Sequence, residues 1–177
     1  MGGTDSHCLS VSSYEITQNE ANEMGGSMSD TVEVTWDTSF GSSGCENAFD
    51  IRRKTFVDEQ GVPYDEVFDA RDKEAIHIVG RINESAIACV RCVDEGGGRW
   101  RVGWLATHQE LRGKGIGTQA MRLAIKTIGE HGGHEVVLSA QGTAIEFYRG
   151  LGFEQCGASE DLPSGFTLTP MHCTLKN

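Results

Sequence analysis

The chain has no apolar stretch approaching the ~20 residues that a membrane-spanning helix needs. Its opening residues, MGGTDSHCLS, contain no basic region and no apolar core. That excludes a secretory signal there and makes the cytoplasm the expected location. Lys and Arg are absent from residues 1–50, which hold nine acids. Residues 51–177 carry 17 acids against 15 bases, so the net charge of −11 belongs mostly to the N-terminal third. No basic stripe is present, and neither nucleic acid nor a membrane is expected as a partner. A cationic small substrate is permitted but not demanded. Nothing points to export, so the six cysteines (8, 45, 89, 92, 156 and 173) are expected to be free thiols.

Metal-binding patterns are equally thin. Cys89 and Cys92 have CxxC spacing, but no second CxxC exists. The pair falls in an expected strand, where i and i+3 face opposite ways. His131 and His134 flank two glycines between a helix and a strand, and read as a solvated or satisfied pair. No metal is expected. The nucleoside-triphosphate loop G-x-x-x-x-G-K-[ST] and the dinucleotide fingerprint G-x-G-x-x-G are also missing.

What is present is a regular alternation of elements after a polar start. Residues 1–30 are rich in Ser, Gly, Asn, Thr and Glu and read as a disordered leader, with Met28 a candidate natural start. Residues 31–177 read as one domain. Strands are expected at 32–36, 75–82, 85–93, 99–107, 135–141 and 170–175. The turn GSSGC (41–45) can cap a helix over 46–57, and a long loop with one helical turn should follow to 75. Further helices are expected from about 116 to 130 and over 143–153. An antiparallel meander followed by strand–helix–strand–helix–strand gives an α+β class.

The most informative stretch is LRGKGIGTQAMRLAIKTIGEH (111–131). Gly113, Gly115 and Gly117 lie between a strand and a helix, flanked by Arg112 and Lys114. Glycine costs a helix about 1 kcal/mol relative to alanine, so the cluster needs a reason. Small residues let backbone wrap a ligand closely. The first N–H groups of the helix have no intrahelical partner and point out of its positive end. With two cations beside it, this is an anion site that suits a pyrophosphate. A tight turn with solvated charges is the plainer alternative.

These residues resemble the R/Q-x-x-G-x-G/A motif of the GNAT superfamily of N-acetyltransferases, with Arg112, Gly115 and Gly117 at its fixed positions. AQGTAIEFYRGLGF (140–153) and FVDEQGVPYDEVFDARDKEAIH (56–77) resemble two further segments of small bacterial ElaA-type members, in family order. The resemblance spans roughly 32–175. It implies a mixed, mostly antiparallel sheet that splays between the strands at 99–107 and 135–141. Acetyl-CoA would enter that splay as co-substrate. Its pantetheine arm would pair with Leu105, Ala106 and Thr107. Its pyrophosphate would rest on Arg112, Gly113, Lys114, Gly115, Ile116, Gly117 and Thr118, and Gln141 would also lie at the site. Gln109 replaces a frequent family proline, and Gly103-Trp104-Leu105 replaces Gly-Arg-Val. The tail GFTLTPM lacks the histidine of the family's G-I-P-H-x-x-M segment, which points to a different acceptor.

Direct acyl transfer needs a neutral amine and an acid for the leaving thiolate. A lysine-like amine costs roughly 4.6 kcal/mol to deprotonate at pH 7. The resemblance makes Tyr148 the acid, which protonates the CoA thiolate; the plainer alternative is a helix aromatic with its hydroxyl at the surface. The base is left open among Glu59, His77, His108 and Glu110, with water chains as another route. Arg52, Arg53 and Lys54 read as a solvated face, while Glu59, Gln60 and Asp69 could line the acceptor side. The acceptor is an amine on a small molecule or a protein. The resemblance admits a homodimer, although no exposed stripe argues for one. A non-catalytic CoA-binding module and a transferase of longer acyl groups are the alternatives.

Overall fold

The computed structural model describes residues 33–41, 45–163 and 165–175. The expected leader, the Met28 start, Cys8, Val32 and the centre of the GSSGC turn lie outside the described residues. The elements in chain order are β1 (Thr35–Phe40), α1 (Glu46–Arg52), α2 (Tyr64–Val67), β2 (Ile76–Ile82), β3 (Ser85–Gly96), β4 (Arg99–Thr107), α3 (Ile116–Glu130), β5 (Glu135–Gln141), α4 (Ile145–Arg149), β6 (Glu154–Gln155), β7 (Glu160–Asp161) and β8 (Thr167–Thr174). The strands form one sheet in the order β1-β2-β3-β4-β5-β8-β6, with β7 also on β8. Every pairing is antiparallel except β4–β5. The mixed α+β sheet expected from the sequence is therefore present. No described helix is long and apolar enough to cross a membrane.

Strand alternation sorts the core into two layers. Ile76 and Ile78 of β2, with Val90 and Cys92 of β3, face α3. Val79 and Cys89 face α1. Cys89 and Cys92 thus lie on opposite faces, and burial pushes both thiols up to about 12. On α3, Ile116, Ala120, Met121, Ala124 and Ile128 recur at helical spacing and are fully buried. Burying each large member stabilises the fold by about 1.5–3 kcal/mol relative to leaving it exposed. Gly80 sits where a Cβ would come within 2.8 Å of the Trp36 ring, so β2 has room only for hydrogen there.

The sheet opens between β4 and β5. Their parallel pairing covers only Arg99–Glu135, Trp100–Val136 and Arg101–Val137. Beyond Arg101 the β5-facing edge of β4 has no strand partner among the described residues. The cause lies in β4 itself. Its register against β3 runs from Arg91↔Gly103 to Cys89↔Ala106, so β4 carries one extra residue at Trp104–Leu105. Trp104 takes φ +52°, a conformation that costs a bulky residue on the order of 1–3 kcal/mol. Such a bulge bends its strand and tightens the local twist.

The surroundings of Trp104 offset that strain. Its ring packs edge-on against Phe56, with centroids 5.0 Å apart, and the Arg52 guanidinium lies 5.4 Å from it. Arg52 is 1% exposed, which corrects the solvated face expected for Arg52, Arg53 and Lys54. It follows Ala48 and Ile51 on the buried stripe of α1, and its charge is met by Asp72 at 2.6 Å. Arg91 reaches the same Asp72 oxygen at 2.9 Å and grips Asp69 at 2.9 and 3.2 Å. Arg52 also donates to the Val67 carbonyl. Asp69 and Asp72 form a reciprocal capping box on the 3₁₀ turn Ala70–Glu74. Arg53 and Lys54 are exposed as expected.

Several boundaries move. Residues 56–75 hold more structure than one helical turn. α1 continues as a π-helix over Arg53–Glu59, and then come α2 and the 3₁₀ turn. β1 begins at Thr35 rather than 32, β3 runs on to Gly96, β8 starts at Thr167, and the α-helical part of 143–153 is only Ile145–Arg149. The two-residue strands β6 and β7 have no sequence signal.

Asp72 supports two buried guanidiniums. Removing one partner of a buried ion pair typically costs about 3–5 kcal/mol. Asp72→Ala should lower urea-unfolding stability by that amount at pH 7. Burial alone would raise the Asp72 pKa, but hydrogen bonds and charge from Arg52 and Arg91 outweigh it and hold the carboxyl below its usual range. Its contribution is therefore complete above the unfolded value, about 3.9, and is lost as pH falls through the lower folded value. The gap between wild type and variant should close along that acid limb.

Candidate active site

The opening between β4 and β5 leads into a cleft of about 800 Å³. One wall is β4 from Val102 to Thr107, and the other holds Leu138, Ser139 and Gln141 of β5 with Ala144 and Tyr148. Leu105, Ala106 and Thr107 all line it. Among the described residues they have no strand partner on the β5 side, because the bulge has carried β4 away from β5, although the Thr107 carbonyl accepts from Arg112. An extended amide-bearing ligand can hydrogen-bond there as an added strand does.

At Thr107 and Arg112 the cleft meets a second hollow of about 400 Å³. Gly113, Gly115, Ile116, Gly117 and Thr118 line this cup, whereas Lys114 is exposed beside it. Gly115 is the N-cap of α3, and no side chain caps the helix. The leading amides of α3 are left for an anion. Gly113 and Gly115 adopt φ +77° and +78°, a region other residues avoid, while Gly117 does not. Two of the glycines are thus set by backbone conformation and the third by space in the cup.

Arg112 has a partner already. Its guanidinium contacts Glu59 at 2.6 Å, and its Nε donates to the Thr107 carbonyl at 3.0 Å. Beside it, Gln141 donates to Gln60 at 3.0 Å across the cleft mouth. Glu59 and Gln60 close the π-helix and its cap, so this one turn fastens to both sides of the opening.

Tyr148 lines the cleft from α4, with its ring packed edge-on against Phe147 and Phe153. Burial pushes its hydroxyl up to about 12. The phenol stays protonated at neutral pH, but its gap to a thiol near 8.5 is about 3.5 units rather than the 1.5 of an unburied pair. A thiolate leaving into the same cleft is desolvated too, which raises its own affinity for the proton and narrows the gap.

The four candidate bases sit elsewhere than the cleft lining. His77 is 1% exposed, and its Nε2 lies 3.0 Å from the Asp72 carbonyl. Burial pulls its pKa down, and it packs edge-on against Phe49. His108 is half-buried beyond the end of β4, Glu110 is exposed, and Glu59 is engaged by Arg112. Asp69 stands behind the lining, held by Arg91. The ionisable groups that do line the acceptor half include Glu66, Arg71 and Arg91. None was singled out by motif: Glu66 and Arg71 owe their place to the path of residues 60–74, and Arg91 stands on β3.

The GNAT acetyltransferase family model matches residues 45–153. The chain belongs to the GNAT family. It is 30% identical to the uncharacterized N-acetyltransferase YjcF of Bacillus subtilis over 127 residues, which is 68% of this chain and 85% of that one. Escherichia coli ElaA superposes with a TM-score of 0.70 and 25% identity, covering 79% of this chain and 99% of that one. An aminoglycoside 6′-N-acetyltransferase solved with coenzyme A shares the fold, with a TM-score of 0.63 and 16% identity over 77% of this chain and 96% of that one. As a GNAT acyltransferase, the protein uses an acyl-CoA donor and an amine acceptor.

The three glycines of the cup should respond differently to a methyl group. Gly113→Ala and Gly115→Ala force a positive φ on alanine and should each lose about 1–2 kcal/mol. A Cβ on Gly117 meets only Phe147, at 3.7 Å, so Gly117→Ala should hold or gain about 0.4–1 kcal/mol. Thermal melts of the three variants check this order.

Proposed function

We propose that the protein transfers an acetyl group from acetyl-CoA directly to an amine, with Tyr148 protonating the departing CoA thiolate. The observation that carries this reading is the continuity of one channel. An uncapped helix terminus opens into unpaired β4 backbone, which leads to a phenolic hydroxyl. Pyrophosphate would take the amides of 113–118 and the Arg112 guanidinium, and the pantetheine amides would take Leu105–Thr107. The thioester then lies beside Tyr148.

In the reaction the neutral amine attacks the thioester carbon, and the C–S bond breaks as the tetrahedral adduct collapses. Tyr148 gives its proton to sulfur, the nitrogen sheds one proton to solvent or a base, and the Tyr148 phenolate takes one back from solvent, so the count balances. Among the described residues no cysteine lines the cleft, so attack by the amine itself needs no acyl-enzyme. Glu59, His77, His108 and Glu110 could act on the amine only through water, given where they sit.

Thiol release from acetyl-CoA against a panel of amines tests the reading, with propionyl and longer donors run in parallel. The expected result is amine-dependent release that is fastest with the acetyl donor. Tyr148→Phe should lower kcat about 10²-fold while CoA affinity by calorimetry stays unchanged. Turnover at the wild-type rate in that variant would remove Tyr148 from the mechanism.

The pyrophosphate must share or displace Glu59 at Arg112. An exposed ion pair is worth at most about 1 kcal/mol. Glu59→Gln should therefore tighten CoA binding by up to about fivefold at low salt, with the gain vanishing at high ionic strength.

A further inference from the structure

One wall of the cleft is backed by an ion-pair cluster with a surplus positive charge that the transfer chemistry does not explain. Three guanidiniums, Arg52, Arg71 and Arg91, converge on two carboxylates, Asp69 and Asp72. Both carboxyls are held below their usual range by their arginine partners, against the opposing pull of burial, so one positive charge is in excess. It is least neutralised at Arg71. Arg71 lines the cleft, and its only ionic partner among the described residues is Asp69 at 3.4 Å, which Arg91 already grips with two hydrogen bonds.

Two residues of the lining each carry a buried polar atom with no hydrogen-bond partner among the described residues. Thr55 is 5% exposed and its Oγ1 is unpaired; Arg91 is 4% exposed and its Nε is unpaired. A buried donor left unsatisfied costs about 1–3 kcal/mol, so a ligand that supplies an acceptor oxygen recovers it. The π-helix explains how Thr55 reaches this place. In a helix closed by i→i+5 bonds, Thr55 and Gln60 come onto one side, and both line the cleft. Opposite in sign, the exposed Glu66 carboxylate lines the same half and has no ion-pair or hydrogen-bond partner among the described residues. Between these charges the walls are apolar: Phe56, Val62, Trp104 and Phe166.

We infer that the acceptor is an amine that also bears one carboxylate, an amino acid with an apolar side chain. Its carboxylate sits on Arg71 with Thr55 and Arg91 behind it, and Glu66 attracts its ammonium. A single surplus charge matches a monoanion and leaves a dianionic phosphate half unpaired. The inference rests on the transferase reading above, and it is separable from it.

The test compares matched pairs that differ by the carboxylate: phenylalanine with phenethylamine, and leucine with isoamylamine. Thiol release should show kcat/KM at least tenfold higher for each amino acid. Arg71→Ala should bring the ratio within threefold through KM, with CoA affinity unchanged, and Arg71→Lys should restore part of it. Equal rates for the paired amines, or a ratio indifferent to Arg71→Ala, overturn the inference while leaving the transferase intact. If no amine releases thiol, the transferase reading fails. Calorimetry on the protein–CoA complex then decides the seat: phenylalanine bound with phenethylamine excluded supports it, and the reverse or no binding of either ends it.

Discussion

Asp72 holds the molecule's functional half together. Its Oδ1 accepts from both Arg52 of α1 and Arg91 of β3, and its backbone neighbours form the 3₁₀ turn that brings the chain back to β2. Through Arg52 the same carboxylate steadies Trp104, the residue whose left-handed backbone makes the β4 bulge. Without that bulge β4 would stay paired to β5 and no channel would exist. A charge network buried under an irregular loop therefore meets the edge of β4 through one side chain, Trp104. Hydrophobic packing alone could hold α1 on the sheet. It does not fix the rotation of the helix to within one side chain, whereas two guanidiniums on one carboxylate do.

The glycine cup and the open edge of β4 were legible in the sequence because they are made of backbone. Glycines before a helix, a strand ahead of them and an aromatic pair in the next helix leave local marks at fixed spacing. Period-two alternation gave the meander, and it put His77 opposite Ile76 and Ile78. The acceptor half left no such marks. Arg52 reads as part of a basic run because its partner lies twenty residues away, in a stretch whose polarity suggests an open loop. Thr55 turns inward only because α1 relaxes into a π-helix, and no propensity signals that change of pitch. Glu66 and Arg71 gained their place from the path of residues 60–74, which is fixed by tertiary ion pairs. The resemblance to ElaA-type chains covered these residues too, but it offered their order and not their contacts.

Burial shapes the chemistry in a way composition could not show. It keeps Tyr148 protonated far above neutrality, so the hydroxyl is always in donor form and is a weaker acid for it. In the proposed role, such a group would give up its proton late, once the sulfur has become strongly basic. The same low-dielectric surroundings that weaken the acid also make a solvated thiolate unavailable, so proton and leaving group must move together.

The mouth of the channel is closed by two fasteners of different kind. Glu59 and Arg112 attract as opposite charges, which dissolved ions weaken. Gln60 and Gln141 interlock as neutral carboxamides, which ions hardly affect. An arriving pantetheine arm carries amides of its own, and these can take up each hydrogen bond that the glutamines release. Breaking the second fastener is thus close to an even exchange for that visitor. A bare alkyl thiol has no such groups to offer, so on the proposed reading the entrance would favour a donor with an amide-bearing linker.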